Sequence, residues 1–96
     1  MPAYLIVNYE VEDPALYGEY AKGAGPAMKI GQECQLIGFD PATDRIEGDS
    51  AGRQTVVLQF DSKEKAKELY ESGAYQAVIG KRHAATTGFG VLVKGL

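Results

Sequence analysis

Arg82 stands between Lys81 and His83 at the end of an apolar run, AYQAVIGKRHAATTG over residues 74–88, and His83 is the only histidine in the chain. A guanidinium is a planar fork of donors that matches a carboxylate or a phosphate. An imidazole titrates near neutrality, so His83 is the candidate general acid or base. If residues 74–86 are helical, Ala74, Val78 and Arg82 fall on one line, four apart. Ala74, Ala77 and Val78 form an apolar stripe that faces protein, and Arg82 extends it. His83 continues the neighbouring line Tyr75–Ile79, and Lys81 points to water. Lys81 and Arg82 both suit the negative end of a helix dipole. An Arg at the edge of a buried stripe needs an anionic or carbonyl partner, because burying it unpaired is costly.

The other chemistry-bearing side chains are more ordinary. Six tyrosines are present, and Tyr17 and Tyr20, three apart, can pack on a sheet and aim their hydroxyls at a cavity. Core and interface packing is the usual employment of Tyr. Asn8 stands in the middle of an apolar segment, and a buried amide needs partners. It is expected to face the interior of an assembly or an interface, and joins Tyr17 and Tyr20 as a candidate ligand contact. Cys34 is the single cysteine, so no intrachain disulfide forms and a cytoplasmic location is the simple expectation. No cation adjoins it in sequence and Glu33 precedes it, so it reads as a small core residue rather than a nucleophile. One His, one distant Cys and scattered carboxylates make no metal-ligand spacing, and no metal is expected. The GAG at 23–25 and GFG at 88–90 lack the strand-to-helix context of a phosphate loop, and no Ser-centred elbow occurs, so no cofactor is expected.

These residues must be positioned by strands and helices that the pattern places in order. AYLIVNY, 3–9, is β-branched and aromatic with apolar residues at both parities, as in a strand covered on both faces. Asp13-Pro14 opens a helix, with Leu16, Tyr17, Tyr20, Ala21 and Ala24 at helical spacing. Gly23, Gly25 and Pro26 predict a break near residue 22, then a short helical turn over PAMKI ended by Gly31. ECQLIGF, 33–39, reads as a strand and RIEG, 45–48, as a short one. RQTVVLQF, 53–60, is the clearest strand. Asp61 with Glu64 predicts a capping box for the next helix. Ser72 caps a third, and GFGVLVKG, 88–95, is the last strand. The sum is an α+β chain, a ferredoxin-like β-α-β-β-α-β antiparallel sheet with helices on one face.

At 96 residues this is a single domain, 1–96. The net charge of −3 is scattered without a basic stripe, so no nucleic acid is expected as partner. No apolar run is long enough to span a membrane. Strands apolar on both faces require a second covering layer, and the chain has no elements left to supply it. A second copy of the chain is the economical answer.

MPAYLIVNYEVEDPALYGEY, RIEGD, TVVLQFDSKEKAKELYESGAYQ and KRHAAT resemble, in order and spacing, the domain-of-unknown-function 1330 family. The resemblance spans almost the whole chain and implies a small bacterial protein of the dimeric α+β-barrel superfamily. It implies a homodimer whose sheets pack together, with no established activity. It marks Glu47-Gly48 as a motif, which makes Glu47 the internal partner for Arg82, with Asp49 second. An Arg82–Glu47 ion pair would tie the last helix to the sheet. In the functional reading, Arg82, Glu47, Asn8, Tyr17 and Tyr20 line a barrel-end pocket for a small polar or carboxylated molecule. The alternative is a cofactor-free enzyme, monooxygenase- or isomerase-like, in which His83 or Glu47 is the acid/base and Arg82 holds an anion or enolate.

Overall fold

Strand β1 (Ala3–Val11) is central, and its alternation decides the architecture. Its odd residues Ala3, Val7 and Tyr9 are buried, and Leu5 packs on the core beside them. Its even residues Tyr4, Ile6 and Asn8 face the other way. The computed structural model describes residues 1–96. After β1 come α1 (Pro14–Met28), β2 (Cys34–Asp40), β3 (Gln54–Phe60), α2 (Lys63–Tyr70), α3 (Gly73–Ala85) and β4 (Thr86–Lys94). The sheet is antiparallel with strand order β2-β3-β1-β4. This is the α+β, ferredoxin-like arrangement expected, with the second helical segment split in two at Glu71-Ser72.

The helices cover the odd face of β1. Tyr20, Ala24 and Met28 of α1, Ala66 and Leu69 of α2, and Tyr75 and Ile79 of α3 join Cys34, Leu58 and Phe60 in one core. The opposite face is bare along β4, while Gly52 covers it at Asn8. Phe89, Val91 and Val93 of β4 pair with Asn8, Ile6 and Tyr4 and are 51%, 50% and 44% exposed. Apolar side chains of that size in a row on one sheet face are unusual for an isolated surface.

Several local expectations are corrected. Helix α1 does not break near residue 22 but runs unbroken through Gly23, Gly25 and Pro26. A Cβ on Gly23 would lie 2.7 Å from Val78 Cγ1, so this glycine admits close approach of α3 rather than ending the helix. Lys29, in the left-handed region at φ 55°, caps α1 in place of Gly31. Ser62, not Asp61, caps α2 by accepting from Lys65 N–H. RIEG forms no strand, because β2–β3 pairing ends at Asp40–Thr55 and leaves the segment no partner. Ser72 caps α3 as expected. No helix is long and apolar enough to cross a membrane.

Candidate functional site

Arg82 is buried, 9% exposed, on the inner face of α3. The stripe that carries it is Tyr75, Ile79, Arg82 and Ala85. This corrects the expected stripe: Ala74 and Ala77 are exposed and Val78 is half-buried, while the Tyr75–Ile79 line is the core-facing one. His83 falls off that line and is exposed. The reason lies in α1, against which α3 packs: its buried Tyr20 meets Tyr75, which sets the rotation of α3.

The Arg82 guanidinium donates from Nη1 to the Tyr75 hydroxyl at 3.1 Å. Its carbon lies 5.9 Å from the centre of the Tyr20 ring, within cation–π range. The Tyr75 and Tyr20 hydroxyls are 2.6 Å apart. A second pair lies alongside, Tyr9 to Tyr17 at 2.6 Å, with Gln54 Nε2 donating to Tyr17 at 2.8 Å. Tyr9, Tyr17, Tyr20, Tyr75 and Tyr70 form a file of rings with centres 5.2 to 6.2 Å apart. Burial is the leading cause that raises the pKa of Tyr9, Tyr17, Tyr20 and Tyr75 above that of a free phenol. The nearby Arg82 charge pulls each of them the other way and does not prevail. These hydroxyls are therefore neutral donors and acceptors at physiological pH.

No carboxylate pairs with Arg82: none of the ion pairs in the molecule includes it. Its remaining N–H groups are not sealed away without partners. They open onto cavities. An inner cavity of about 180 Å³ is lined by Tyr9, Tyr17, Tyr20, Tyr75 and Arg82. An apolar one of about 260 Å³ lies against Leu5, Val7, Ala66, Leu92 and Arg82. A third, about 470 Å³, is bounded by Tyr9, Arg82, His83 and Thr86. Arg82 lines all three, so one charged group borders two spaces against β1 and β4 and a third that runs under α1 over β1, β3 and β2.

Of the residues expected to act together, Arg82, Tyr17 and Tyr20 are assembled, and His83 shares the third cavity with Arg82. Glu47 is not assembled. It is exposed in the 41–53 segment and forms no ion pair with Arg82, which corrects the expected Arg82–Glu47 bridge. The segment is closed at its base by Thr43 N–H donating to the Arg53 carbonyl at 2.7 Å, on the β2–β3 side of the sheet, whereas Arg82 lies by β1 and β4. Asp49 is exposed in the same segment. Asn8 is also engaged elsewhere. Its Oδ1 accepts from Gly52 N–H at 2.7 Å, and its Nδ2 donates to the Gly52 carbonyl and to Thr55 Oγ1, both at 3.0 Å. Asn8 pins the segment and lines none of these cavities. The site's hydrogen-bonding Tyr75 and Gln54 were not singled out from sequence. Tyr75 stands seven residues before Arg82, two turns back on the same face, which is the signal that carries it. Cys34 is buried, donates to the Met28 carbonyl at 3.2 Å and has its thiol pushed up to about 11 by burial, with Glu33 adding to it. No cluster of three or more His, Cys, Asp or Glu side chains is placed to hold a metal ion.

The family model for a domain of unknown function, DUF1330, matches residues 2–96. The chain belongs to the DUF1330 family. No curated protein matches it. Among solved structures, this DUF1330 chain is similar to a protein of unknown function from Rhodopseudomonas palustris, with TM-score 0.81 and 14% identity over 99% of this chain and 82% of that one. It is similar to a dimeric ferredoxin-like protein of unknown function from Thermobifida fusca, with TM-score 0.65 and 11% identity over 99% and 92%. It is also similar to SnoaB, a cofactor-independent oxygenase from Streptomyces nogalater, with TM-score 0.66 and 11% identity over 99% and 93%. At these identities the likeness establishes the ferredoxin-like fold of the DUF1330 chain and nothing of its chemistry.

Proposed function

We propose that this protein binds a small organic anion at Arg82 and acts as a homodimer. The observation that carries the first part is a buried guanidinium with no counter-charge, opening onto cavities walled by tyrosines and aliphatic side chains. An uncompensated buried charge costs several kcal/mol, on the order of the penalty for any desolvated ion, and an anionic ligand removes much of that cost. The homodimer is supported by the bare apolar face at Phe89, Val91 and Val93 and by the dimeric state of the Thermobifida fusca protein of the same fold. The single buried cysteine supports a cytoplasmic setting.

Native mass spectrometry of gently purified protein tests both parts. The expected spectrum is a dimer carrying extra mass that is lost on substituting Arg82→Met. A folded monomer at low micromolar concentration would overturn the homodimer. A bare dimer that takes up none of a panel of acetate, benzoate, citrate and phosphate would overturn the anion site.

A second reading is favoured by the cavity that His83 and Arg82 share. There His83 removes a proton from a carbon acid while Arg82 holds the resulting enolate, as a cofactor-free enzyme would require. The cofactor-independent oxygenase activity of SnoaB is consistent with such chemistry on this fold. Its test is deuterium uptake from solvent into a bound keto acid such as phenylpyruvate. Uptake by wild type and not by His83→Gln, with binding unchanged, would support it. No uptake by either would dismiss it.

A further inference from the structure

We infer that the anion is a ring-bearing monocarboxylate and that Gly90 sets the width of the slot that receives its ring; this deepens the reading of Arg82 as the anion anchor and rests on it. The apolar cavity and the His83 cavity share three residues, Tyr70, Arg82 and Gly90. The anchor is therefore at a boundary. On one side lie Leu5, Val7, Ala66 and Leu92, and on the other His83, Thr86 and Thr87. A ligand fixed by a charged head at Arg82 places an apolar body on the first side and leaves any polar substituent on the second.

The size of the apolar side limits that body. It holds about 260 Å³. An apolar cavity of about 150 Å³ takes benzene, so the space here fits a six-membered ring with substituents or a fused pair. Its shape comes from what β4 lacks. Gly88 and Gly90 are paired with Tyr9 and Val7 of the helix-covered face, so two successive inward positions of β4 carry no side chain. A Cβ on Gly90 would lie 2.9 Å from Val7 Cγ1, and any larger side chain would enter the cavity or push Val7 into it. One wall is thus bare strand backbone and Tyr70 lines the same space. A rigid ring covers such walls without losing the rotational freedom that an alkyl chain forfeits on binding.

The charge at the site fixes the head group. Lys67 and Glu71, one of each sign, are the other ionic side chains on the apolar cavity. Neither pairs with the other or with Arg82, so the lining carries one net positive charge, and His83 is the only titratable group added by the neighbouring cavity besides the tyrosines. A single negative charge on a planar fork of oxygens, a carboxylate, matches the guanidinium and leaves no surplus. A phosphate monoester would leave a second negative charge unpaired.

Titration calorimetry on the full chain tests this with benzoate, 2-naphthoate, hexanoate, acetate, benzamide and phenyl phosphate, against wild type, Gly90→Ala, Gly90→Val and Arg82→Met. Benzoate and 2-naphthoate are expected to bind wild type more tightly than hexanoate, phenyl phosphate or benzamide. Gly90→Ala is expected to weaken the aromatic carboxylates roughly tenfold or more, the effect of one added carbon in an apolar pocket, and to leave acetate unchanged. Gly90→Val is expected to abolish 2-naphthoate binding. If Gly90→Val does not give the wild-type circular dichroism spectrum, Gly90→Ala and the wild-type ranking decide. Failure of every anion to bind wild type would overturn the Arg82 reading together with this one. Arg82-dependent binding in which hexanoate or phenyl phosphate equals benzoate, or which Gly90→Ala leaves untouched, would overturn this inference alone.

Discussion

Arg82 and Tyr75 lie two turns apart on one helix and meet through a 3.1 Å hydrogen bond from Nη1 to the phenol oxygen, both side chains buried. The phenol is a neutral acceptor, so it satisfies one donor without cancelling the charge. Tyr20 stacks against the guanidinium and meets the same hydroxyl. The helix layer thus holds a cation in a cage that fixes its position and leaves its charge available.

A buried charge without a counter-charge is a burden on stability. Replacing buried ions by apolar groups of similar volume is often neutral or stabilising. Arg82→Met is therefore expected to melt at or above the wild-type temperature while losing anion binding. Arg82→Ala removes the packed stem as well and is expected to cost about 1–3 kcal/mol. Lys81 reaches Glu19 only at 4.0 Å between exposed side chains, and Lys81→Ala is expected to cost less than about 0.5 kcal/mol. Urea unfolding of the three variants measures this, and equal small losses for both alanines would show that Arg82 carries no buried packing.

Tyr75→Phe removes a hydroxyl and nothing else. It strips the Nη1 donor of its acceptor and the Tyr20 hydroxyl of its partner, both in a buried setting. Leaving such groups unpaired costs about 1–3 kcal/mol. Tyr70→Phe is the control, since its hydroxyl makes no hydrogen bond to protein while its ring packs 5.2 Å from that of Tyr75. It is expected to change stability by about 0.5 kcal/mol or less. Chemical denaturation midpoints that fall equally for both would remove the hydroxyl network from the account.

How far the sequence exposes this site depends on which residues speak locally. Strands β1 and β3 declare themselves by apolar, β-branched runs, and Ser72 by its capping chemistry. Arg82 is legible as a buried cation because it continues a helical line. The line that reaches it runs through Tyr75 and Ile79 rather than Ala74 and Val78, since Ala74, Ala77 and Val78 are as apolar and only contact with α1 selects between them. Gly23 and Pro26 look like breakers until Val78 is seen against Gly23. Glu47 fails as the partner of Arg82 because the loop's attachment to Asn8 is a contact 44 residues distant in sequence. Gly90 is silent in sequence, because what it contributes is the absence of a side chain in a cavity.

The buried phenols give stability a defined dependence on pH. Tyr9, Tyr17, Tyr20 and Tyr75 all have pKa values raised above the free value of 10.0, burial being the first cause. Below pH 10 both folded and unfolded chains keep these protons, and the contribution is fully present. Above it the unfolded chain loses protons that the folded chain retains, so unfolding is favoured as pH rises. The slope approaches about 1.4 kcal/mol per pH unit for each phenol still protonated only in the fold. Unfolding free energy is expected to begin a steep decline above pH 10, with phenolate absorbance from the four appearing together as the chain unfolds. Smooth titration of all six tyrosines with unfolding free energy unchanged would contradict the buried network.

Val91 lies at the centre of the bare face, paired with Ile6 and 50% exposed, between Phe89 and Val93. A lysine there is harmless to an isolated protomer, since its stem lies along the sheet and its ammonium stays in water. Against a second apolar sheet the same ammonium is buried without a partner, which costs several kcal/mol, roughly that of an unpaired buried ion. Val91→Lys is therefore expected to halve the mass measured by sedimentation equilibrium while the circular dichroism spectrum stays folded. Val91 also lines the apolar cavity beside Arg82, so anion binding is read instead on Val93→Lys, on the same face at a residue that lines none of the Arg82 cavities; its dissociated protomer is expected to retain anion binding. A variant of unchanged mass would place the dimer contact elsewhere. A Val93→Lys monomer that has lost anion binding would mean that the second copy holds the Arg82 cavities in shape.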